Sequence, residues 1–319
     1  MEKNKIIDIH AHFTTDSYLN MIEKHGASME DGFPLPPWSV EKHLEFMDQC
    51  GIEWSLIALS SPQPYFSGAE KESIETCRQL NTEASGIKKQ YPDRFGFQAC
   101  LPLPDVDAAA EEAVYALDVL DADGIKFASN SRGLYPGDPA LEPLMAESDK
   151  RHAVCNIHPH RPEPIKEGVF SAGPAPLFEF IADTTRAVLN LVGNGVIERY
   201  PNITWIIPHC GSFLPNIYQR FISISHILVP KGMMQDIDIK GSFEKLYYDI
   251  AGNPAELLDL LLTMTTPDHI MYGSDFPFTP ASAAEENLKQ VIKMLDQRKD
   301  LRSCKEAVLY GNAAALFKL

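Results

Sequence analysis

Eight short apolar runs, separated by longer stretches of helical character, are the feature of this 319-residue sequence that most limits its fold. The runs cover residues 5–10, 54–60, 95–100, 123–128, 153–158, 203–209, 246–251 and 269–274. Amphipathic helices are predicted over residues 70–91, 106–119, 139–151, 174–199, 254–264 and 281–296. Hydrophobic strands alternating with helices are typical of a parallel sheet covered by helices. Eight such units predict an α/β protein of the (β/α)8 TIM-barrel class.

A doubly wound open sheet is the alternative fold. No G-x-G-x-x-G motif follows the first run, however, where that fold binds a dinucleotide. No linker or low-complexity tract interrupts the chain, so residues 1–319 are predicted to form a single domain. Residues 13–50 include the proline-rich segment GFPLPPW and are too long for a plain strand-to-helix connection. They are predicted to form an insertion after the first strand, a candidate lid at the barrel mouth.

Charge and cysteine usage narrow the range of partners and compartments. With 28 basic and 44 acidic residues, the formal net charge is -16, which argues against a general nucleic-acid binder. No apolar stretch approaches the roughly 20 residues of a membrane helix, and the N-terminus lacks an apolar signal core. The six cysteines form no C-x-x-C pair, which is typical of reduced thiols. The chain is therefore predicted to be cytosolic, with a small-molecule partner that can be anionic.

Histidines and carboxylates stand where several of these runs end. In a barrel the strand ends carry the chemistry. His10 and His12 end the first run, and residues two apart on a strand share a face. His158 ends the fifth run, and Asp275 follows the eighth. Imidazoles and a carboxylate on one rim suit a divalent metal, although each motif alone is a weak signal.

His209 ends the sixth run and is followed two residues later by Gly211, which permits a sharp turn. It is a candidate metal ligand or general base, because its unperturbed pKa lies near neutrality. Cys210 is not favoured as a nucleophile, since no activating partner is identifiable. His160 lies beyond the fifth strand and is either a loop histidine or a substrate contact.

Taken in order, these motifs resemble the amidohydrolase superfamily, and more narrowly its branch around aminocarboxymuconate semialdehyde decarboxylase. The motifs are D-x-H-x-H at residues 8–12, His158, His209-x-Gly211 and Gly273-Ser274-Asp275. The resemblance implies one zinc or manganese ion, bound by His10, His12, His158 and Asp275. It makes His209 a catalytic acid/base beside the metal, and Asp8 a further ligand or a partner of the ligands. No lysine stands at the place of the bridging lysine in two-metal relatives, so a single metal is expected. Lys126, in the fourth run, is the one residue that argues for a second metal, and its alternative role is a salt-bridged lysine of the barrel.

Shorter segments at residues 32–38, 183–187 and 199–204 look like stretches of 6-methylsalicylate decarboxylases. The triplet His158-Pro159-His160 departs from the commoner His-Pro-Thr/Ser of the family. Because relatives are commonly dimers or larger, the resemblance also implies a homo-oligomer.

Two reactions fit a metal of this kind. In one, the metal and His209 activate water to hydrolyse an amide, a lactone, another carbonyl compound or a carbon–carbon bond. In the other, the metal holds a carboxylate and a neighbouring oxygen while Asp275 or His209 protonates the carbon that loses CO2. The resemblance favours the second, non-oxidative decarboxylation of a hydroxybenzoate-like acid. A third interpretation is a barrel without activity that serves only to bind a ligand.

Four further residues are candidates for substrate binding. Trp38 either stacks on an aromatic ring or anchors the insertion by packing. Arg186 either binds a substrate carboxylate or pairs with Asp183. Phe276, with Phe278, either walls the pocket or packs in the core, and His160 is the fourth candidate.

Overall fold

All eight predicted strands are present in the computed structural model, which describes residues 5–165, 173–252 and 255–319. The strands are β1 Ile6–His12, β2 Ile52–Ala58, β3 Phe95–Ala99, β4 Gly124–Ala128, β5 Val154–His158, β6 Thr204–Ile207, β7 Tyr247–Asp249 and β8 Ile270–Met271. They follow one another in sequence order in one sheet, and every neighbouring pair is parallel. All eight carboxyl ends therefore lie at the same rim.

Hydrogen bonds between β1 and the residues that follow β8 close this sheet into a barrel. The backbone N–H of Ile9 donates to the carbonyl of Tyr272 at 3.0 Å, and that of His12 donates to the carbonyl of Phe276 at 2.7 Å. A parallel bridge joins Ala11 to Phe276 farther along the same edge. The (β/α)8 barrel is confirmed, and the open doubly wound sheet was the wrong alternative.

The described residues contain twelve α-helices. They are α1 Asp16–Lys24, α2 Val40–Cys50, α3 Glu70–Gln90, α4 Val106–Asp118, α5 Glu142–Lys150, α6 Glu179–Gly193, α7 Val196–Arg199, α8 Leu214–Leu228, α9 Ile239–Glu244, α10 Leu257–Leu261, α11 Ala281–Gln297 and α12 Asn312–Phe317. The helix predicted over 174–199 is divided into α6 and α7, because Gly195 between them is left-handed at φ 68°. The start predicted at residue 254 lies outside the described residues. No described helix has the length and apolarity needed to cross a membrane.

The insertion over residues 13–50 contains α1 and α2, which the sequence patterns did not predict. Ser39 caps α2 by accepting from the backbone N–H of Lys42, and Gly51 ends it in a left-handed conformation. Between the two helices, the carbonyl of Asp31 accepts from the backbone N–H of Ala175 at 2.8 Å. The insertion thus contacts the segment between β5 and α6, which supports its predicted place near the barrel mouth.

Asp31 is a buried carboxylate whose Oδ1 accepts no hydrogen bond from any described residue. Burial raises its pKa from 3.8 to about 6. In this case the folded protein holds the proton more tightly than the unfolded chain, so stability falls as pH rises from about 4 to about 6. Asp31→Asn is expected to raise the free energy of unfolding at pH 8 by up to roughly 3 kcal/mol and to change it little at pH 4. Urea unfolding at both pH values measures the difference.

Glu23→Gln, an exposed change in the same insertion, is the matched control and is expected to be neutral at both pH values. Equal stability of Asp31→Asn and the parent protein at pH 8 would contradict the prediction.

Candidate metal centre and its cavity

Four of the predicted ligands converge at the rim of the barrel. His10 and His12 lie on β1, His158 ends β5, and Asp275 follows β8, and one ligand atom from each lies within 4.8 Å of all the others. The Nε2 atoms of His10 and His12 are 3.2 Å apart, and Nε2 of His12 lies 3.2 Å from Oδ1 of Asp275. We refer to these four residues as the rim cluster.

A hydrogen bond at the opposite ring nitrogen orients each of the three imidazoles. Nδ1 of His10 lies 2.8 Å from Oδ2 of Asp249. Nδ1 of His12 lies 3.2 Å from the Ala58 carbonyl, and Nδ1 of His158 lies 3.0 Å from the Pro159 carbonyl. Because these partners only accept, each Nδ1 donates and each Nε2 keeps its lone pair. Three lone pairs and a carboxylate that converge in this way fit a divalent metal.

Burial and neighbouring charges shift the pKa values of all four residues. Burial lowers the pKa of His12 to about 4, and burial and the neighbouring imidazoles lower that of His158 well below its usual value. For His10, burial lowers the pKa, but attraction to Asp249, Asp275 and Asp8 outweighs it and raises the value to about 9, so Nε2 must lose its proton before it can bind a metal. Burial raises the pKa of Asp275, yet the hydrogen bond with His12 and the nearby imidazoles bring it down to about 2. The carboxylate is thus ionised at neutral pH, as a metal ligand requires.

The turn after β8 brings Asp275 to the cluster through a tight approach to β1. The backbone N–H of Asp275 donates to the His10 carbonyl at 2.8 Å, and Asp275 adopts a left-handed conformation at φ 60°. A Cβ at Gly273 would lie 2.7 Å from Cβ of His10. Only glycine allows this approach, which explains the spacing of Gly273-Ser274-Asp275.

His209 lies beside the cluster on a strained turn after β6. The turn keeps His209 at φ 56° and Cys210 at φ 53°, conformations that cost of order 1–3 kcal/mol each. The ring centroid of His209 is 5.1 Å from that of His10. Its Nδ1 is buried and has no hydrogen-bond partner among the described residues. Burial raises the pKa of the Cys210 thiol, so the reactive thiolate is disfavoured there.

Asp249 contacts the rim cluster and was not identified from the sequence. It ends β7, is 1% exposed, and contacts both His10 and the backbone of His209. The available signal was a carboxylate at the end of an apolar run, the same signal that identified Asp275.

Asp8, predicted as either a metal ligand or a partner of the ligands, is not a member of the rim cluster. Its Oδ1 accepts from the backbone N–H groups of His10 and Ser274, and its Oδ2 accepts from the Ser274 hydroxyl at 2.6 Å. It therefore ties β1 to the turn that carries Asp275, which is the partner role that the resemblance offered as the second possibility.

A cavity of about 410 Å³ opens onto the cluster. His158, His209 and Asp275 form its polar side. Among the described residues, the rest of the wall is largely apolar, with the lining residues Pro159, Pro176, Leu177, Phe180, Ile181 and Phe278 and, beside them, Ser60 and Gly252. The Phe278 ring stands edge-on to His12, with centroids 5.3 Å apart. The volume and the lining suit a small aromatic ligand.

The surroundings of Phe276 and Trp38 favour packing, one of the two roles that the sequence left open for each residue, over substrate contact. Phe276 is 8% exposed and stacks on Phe46 at 4.3 Å between ring centroids, so it belongs to the core. The indole N–H of Trp38 donates to Nδ1 of His43 at 3.0 Å, and its ring packs on Phe13. Trp38 is therefore a packing anchor of the insertion.

Arg186 and His160 also have partners away from the cavity wall. Arg186 lies on α6, pairs with the buried Asp183 at 2.6 Å, and has a side chain that is 55% exposed. His160 accepts from the backbone N–H of Gln63 and donates to the Arg161 carbonyl, with 3% exposure. For both residues the sequence left substrate contact and a structural role open, and these contacts favour the structural role.

Lys126 is buried in the middle of β4, where its Nζ donates to the Ser60 carbonyl at 2.7 Å. Burial lowers its pKa to about 8. It is not one of the four residues of the rim cluster.

The sequence matches the amidohydrolase family over residues 7–319. It is 30% identical over 284 residues to a 6-methylsalicylic acid decarboxylase from Aspergillus aculeatus, a match that covers 87% of this chain and 86% of that protein. A crystal structure named amidohydrolase II has a TM-score of 0.90 at 33% identity, covering 98% of this chain and 100% of that chain. A dihydroxybenzoic acid decarboxylase from Polaromonas, crystallised with manganese and 2-nitroresorcinol, has the same fold, with a TM-score of 0.80, 21% identity, and coverage of 99% and 98%.

Proposed function

The chain belongs to the amidohydrolase family, and we propose that it is a metal-dependent, non-oxidative decarboxylase of a hydroxybenzoate-like acid. The observation that carries the proposal is the rim cluster at the polar side of an otherwise apolar cavity. Similarity to a 6-methylsalicylic acid decarboxylase over 87% of the chain favours decarboxylation over hydrolysis.

We propose His10, His12, His158 and Asp275 as the ligands of one divalent ion, manganese or zinc. Manganese is the ion in the Polaromonas structure, and both metals accept imidazole and carboxylate ligands. When bound, the ion supplies a Lewis acid that holds the carboxylate and the neighbouring hydroxyl of the substrate and polarises the ring. Phe180, Ile181 and Phe278 enclose the ring and keep water from it.

His209 is the residue that we propose as the proton donor. It lines the cavity, its backbone is fixed by Asp249, and its buried Nδ1 has no described partner. In the reaction a proton is added to the ring carbon that bears the carboxylate, the bond from that carbon to the carboxylate breaks, and its electron pair returns to the ring. The products are CO2 and a phenol, and no oxidant is needed. Asp275, the other candidate donor, is held by His12 in the rim cluster.

The manganese-loaded protein is expected to release CO2 from salicylate-type acids. Because the described cavity wall is largely apolar, 6-methylsalicylate is expected to have a kcat/KM about fourfold above that of salicylate, the gain from burying one methyl group. 2,6-Dihydroxybenzoate, whose second hydroxyl meets this wall, is expected to be the poorer substrate. CO2 detection with the three acids measures the order.

Turnover of lactones or amides, with no CO2 from any aromatic acid, would reject decarboxylation and support the hydrolase alternative. Faster turnover of 2,6-dihydroxybenzoate than of 6-methylsalicylate would leave the reaction in place and refute the apolar preference.

Homo-oligomer formation and a cytosolic location remain proposals. The first follows from the family resemblance. The second follows from six free cysteines, since reduced thiols are typical of that compartment.

A further inference from the structure

Asp249 uses both carboxylate oxygens, and the two oxygens serve different elements. Oδ2 lies 2.8 Å from Nδ1 of His10 on β1. Oδ1 accepts the backbone N–H of His209 at 3.0 Å and that of Ala251 at 3.0 Å. A single buried side chain on β7 therefore joins a ligand of the rim cluster to the turn that carries the proposed proton donor.

The hydrogen bond between Asp249 and His10 decides which ring nitrogen of the neutral imidazole carries the proton. An ionised carboxylate only accepts, so Nδ1 of His10 must donate to it, and Nε2 is left with its lone pair directed at the cluster. His12 and His158 have the same arrangement with backbone carbonyls as partners. Among the three ligand histidines, only His10 is oriented by a side chain. Its orienting partner can therefore be changed by mutation.

The bond to the backbone of His209 stabilises an otherwise unfavourable turn. His209, Cys210 and Ser212 all have positive φ, at 56°, 53° and 57°. Residues other than glycine rarely adopt such values without support from surrounding contacts. The hydrogen bond from the His209 N–H to Asp249 fixes the backbone of the first residue of this turn. It thereby fixes the Cα atom from which the imidazole extends.

We propose that Asp249 is a positioning residue that couples metal retention to the placement of the proton donor. It sets the tautomer of His10 through one oxygen and the backbone of His209 through the other. This inference rests on the proposed function, because it takes the rim cluster as the metal site and His209 as the donor.

Asp249→Asn tests the inference with almost no change in shape. An amide that keeps its oxygen on the two backbone N–H groups presents its NH2 to Nδ1 of His10, which must then accept, so that the proton moves to Nε2 and blocks the ligand position. The dissociation constant for manganese is expected to rise about 10- to 100-fold. Metal titration with a competing chelator measures this constant independently of activity.

Asp183→Asn is the matched control. Asp183 is a fully buried carboxylate that accepts from Ser129, Asn130, Tyr135 and Arg186, outside the rim cluster. Its replacement is expected to lower the melting temperature but to leave the manganese dissociation constant within about twofold of the parent value. A similar loss of metal affinity in both variants would assign Asp249 a merely structural role and overturn the inference.

A second measurement does not depend on how well the variant folds. In the parent protein loaded with zinc and labelled with ¹⁵N-histidine, NMR is expected to show His10 protonated at Nδ1 and metal-bound through Nε2. A His10 protonated at Nε2, or bound through Nδ1, would overturn the inference. If the parent protein binds no divalent metal, the proposed function itself fails; if it binds metal and Asp249→Asn binds it equally well, only the role of Asp249 fails.

Discussion

Replacing His209 with glutamine is expected to lower kcat for decarboxylation about a thousandfold, within the range for loss of a positioned acid or base. Glutamine keeps the backbone N–H that Asp249 accepts, but its amide cannot deliver a proton as an imidazole does. His209 is outside the rim cluster, so the variant is expected to retain its metal. Stopped assays of CO2 release, with metal analysis of the same samples, measure both properties.

His226→Gln, an exposed change on α8, is the matched histidine control and is expected to keep the parent kcat. If His209→Gln holds a full equivalent of metal and remains within tenfold of the parent rate, another group delivers the proton, and Asp275 becomes the first candidate.

Removal of the metal is the change with the second large expected effect. Dialysis against a strong chelator is expected to lower the rate of CO2 release to below about 1% of the loaded protein, because a Lewis acid contributes several kcal/mol to reactions of this class. Manganese is expected to restore the rate, and also to raise the melting temperature, since an ion that binds only the folded chain stabilises it. The rate and the melting curve together follow reconstitution.

Magnesium serves as the control ion. It prefers oxygen ligands and keeps much of its water, so a cluster with three imidazoles is expected to bind it poorly and to stay inactive. Full activity of protein that retains less than about 0.05 equivalents of any divalent metal would refute metal dependence.

The barrel and most of its polar rim could be predicted because both depend on short-range patterns. A buried parallel strand is a nearly continuous apolar run, so a polar residue at its end stands out, as His158 and Asp275 do. The family inferred from these motifs is confirmed by the match over residues 7–319.

Residues on loops and turns were harder to assign. Asp275 has a positive φ, which breaks the alternation of a strand, so Phe276 turns into the core and Phe278 turns toward His12. Trp38 and Arg186 find partners that local patterns do not reveal, His43 and Asp183. Asp249 was overlooked because its role depends on His10, 239 positions away.

The rim cluster spans the seam where the chain's beginning and end meet. Two of its members lie on β1, a third follows β8, and the hydrogen bond from Asp275 to the His10 carbonyl crosses between them. An ion held by these four residues would link the first strand to the end of the last one. A fragment lacking either end of the chain would keep only some of the four residues of the rim cluster. The proposed activity therefore requires the closed barrel.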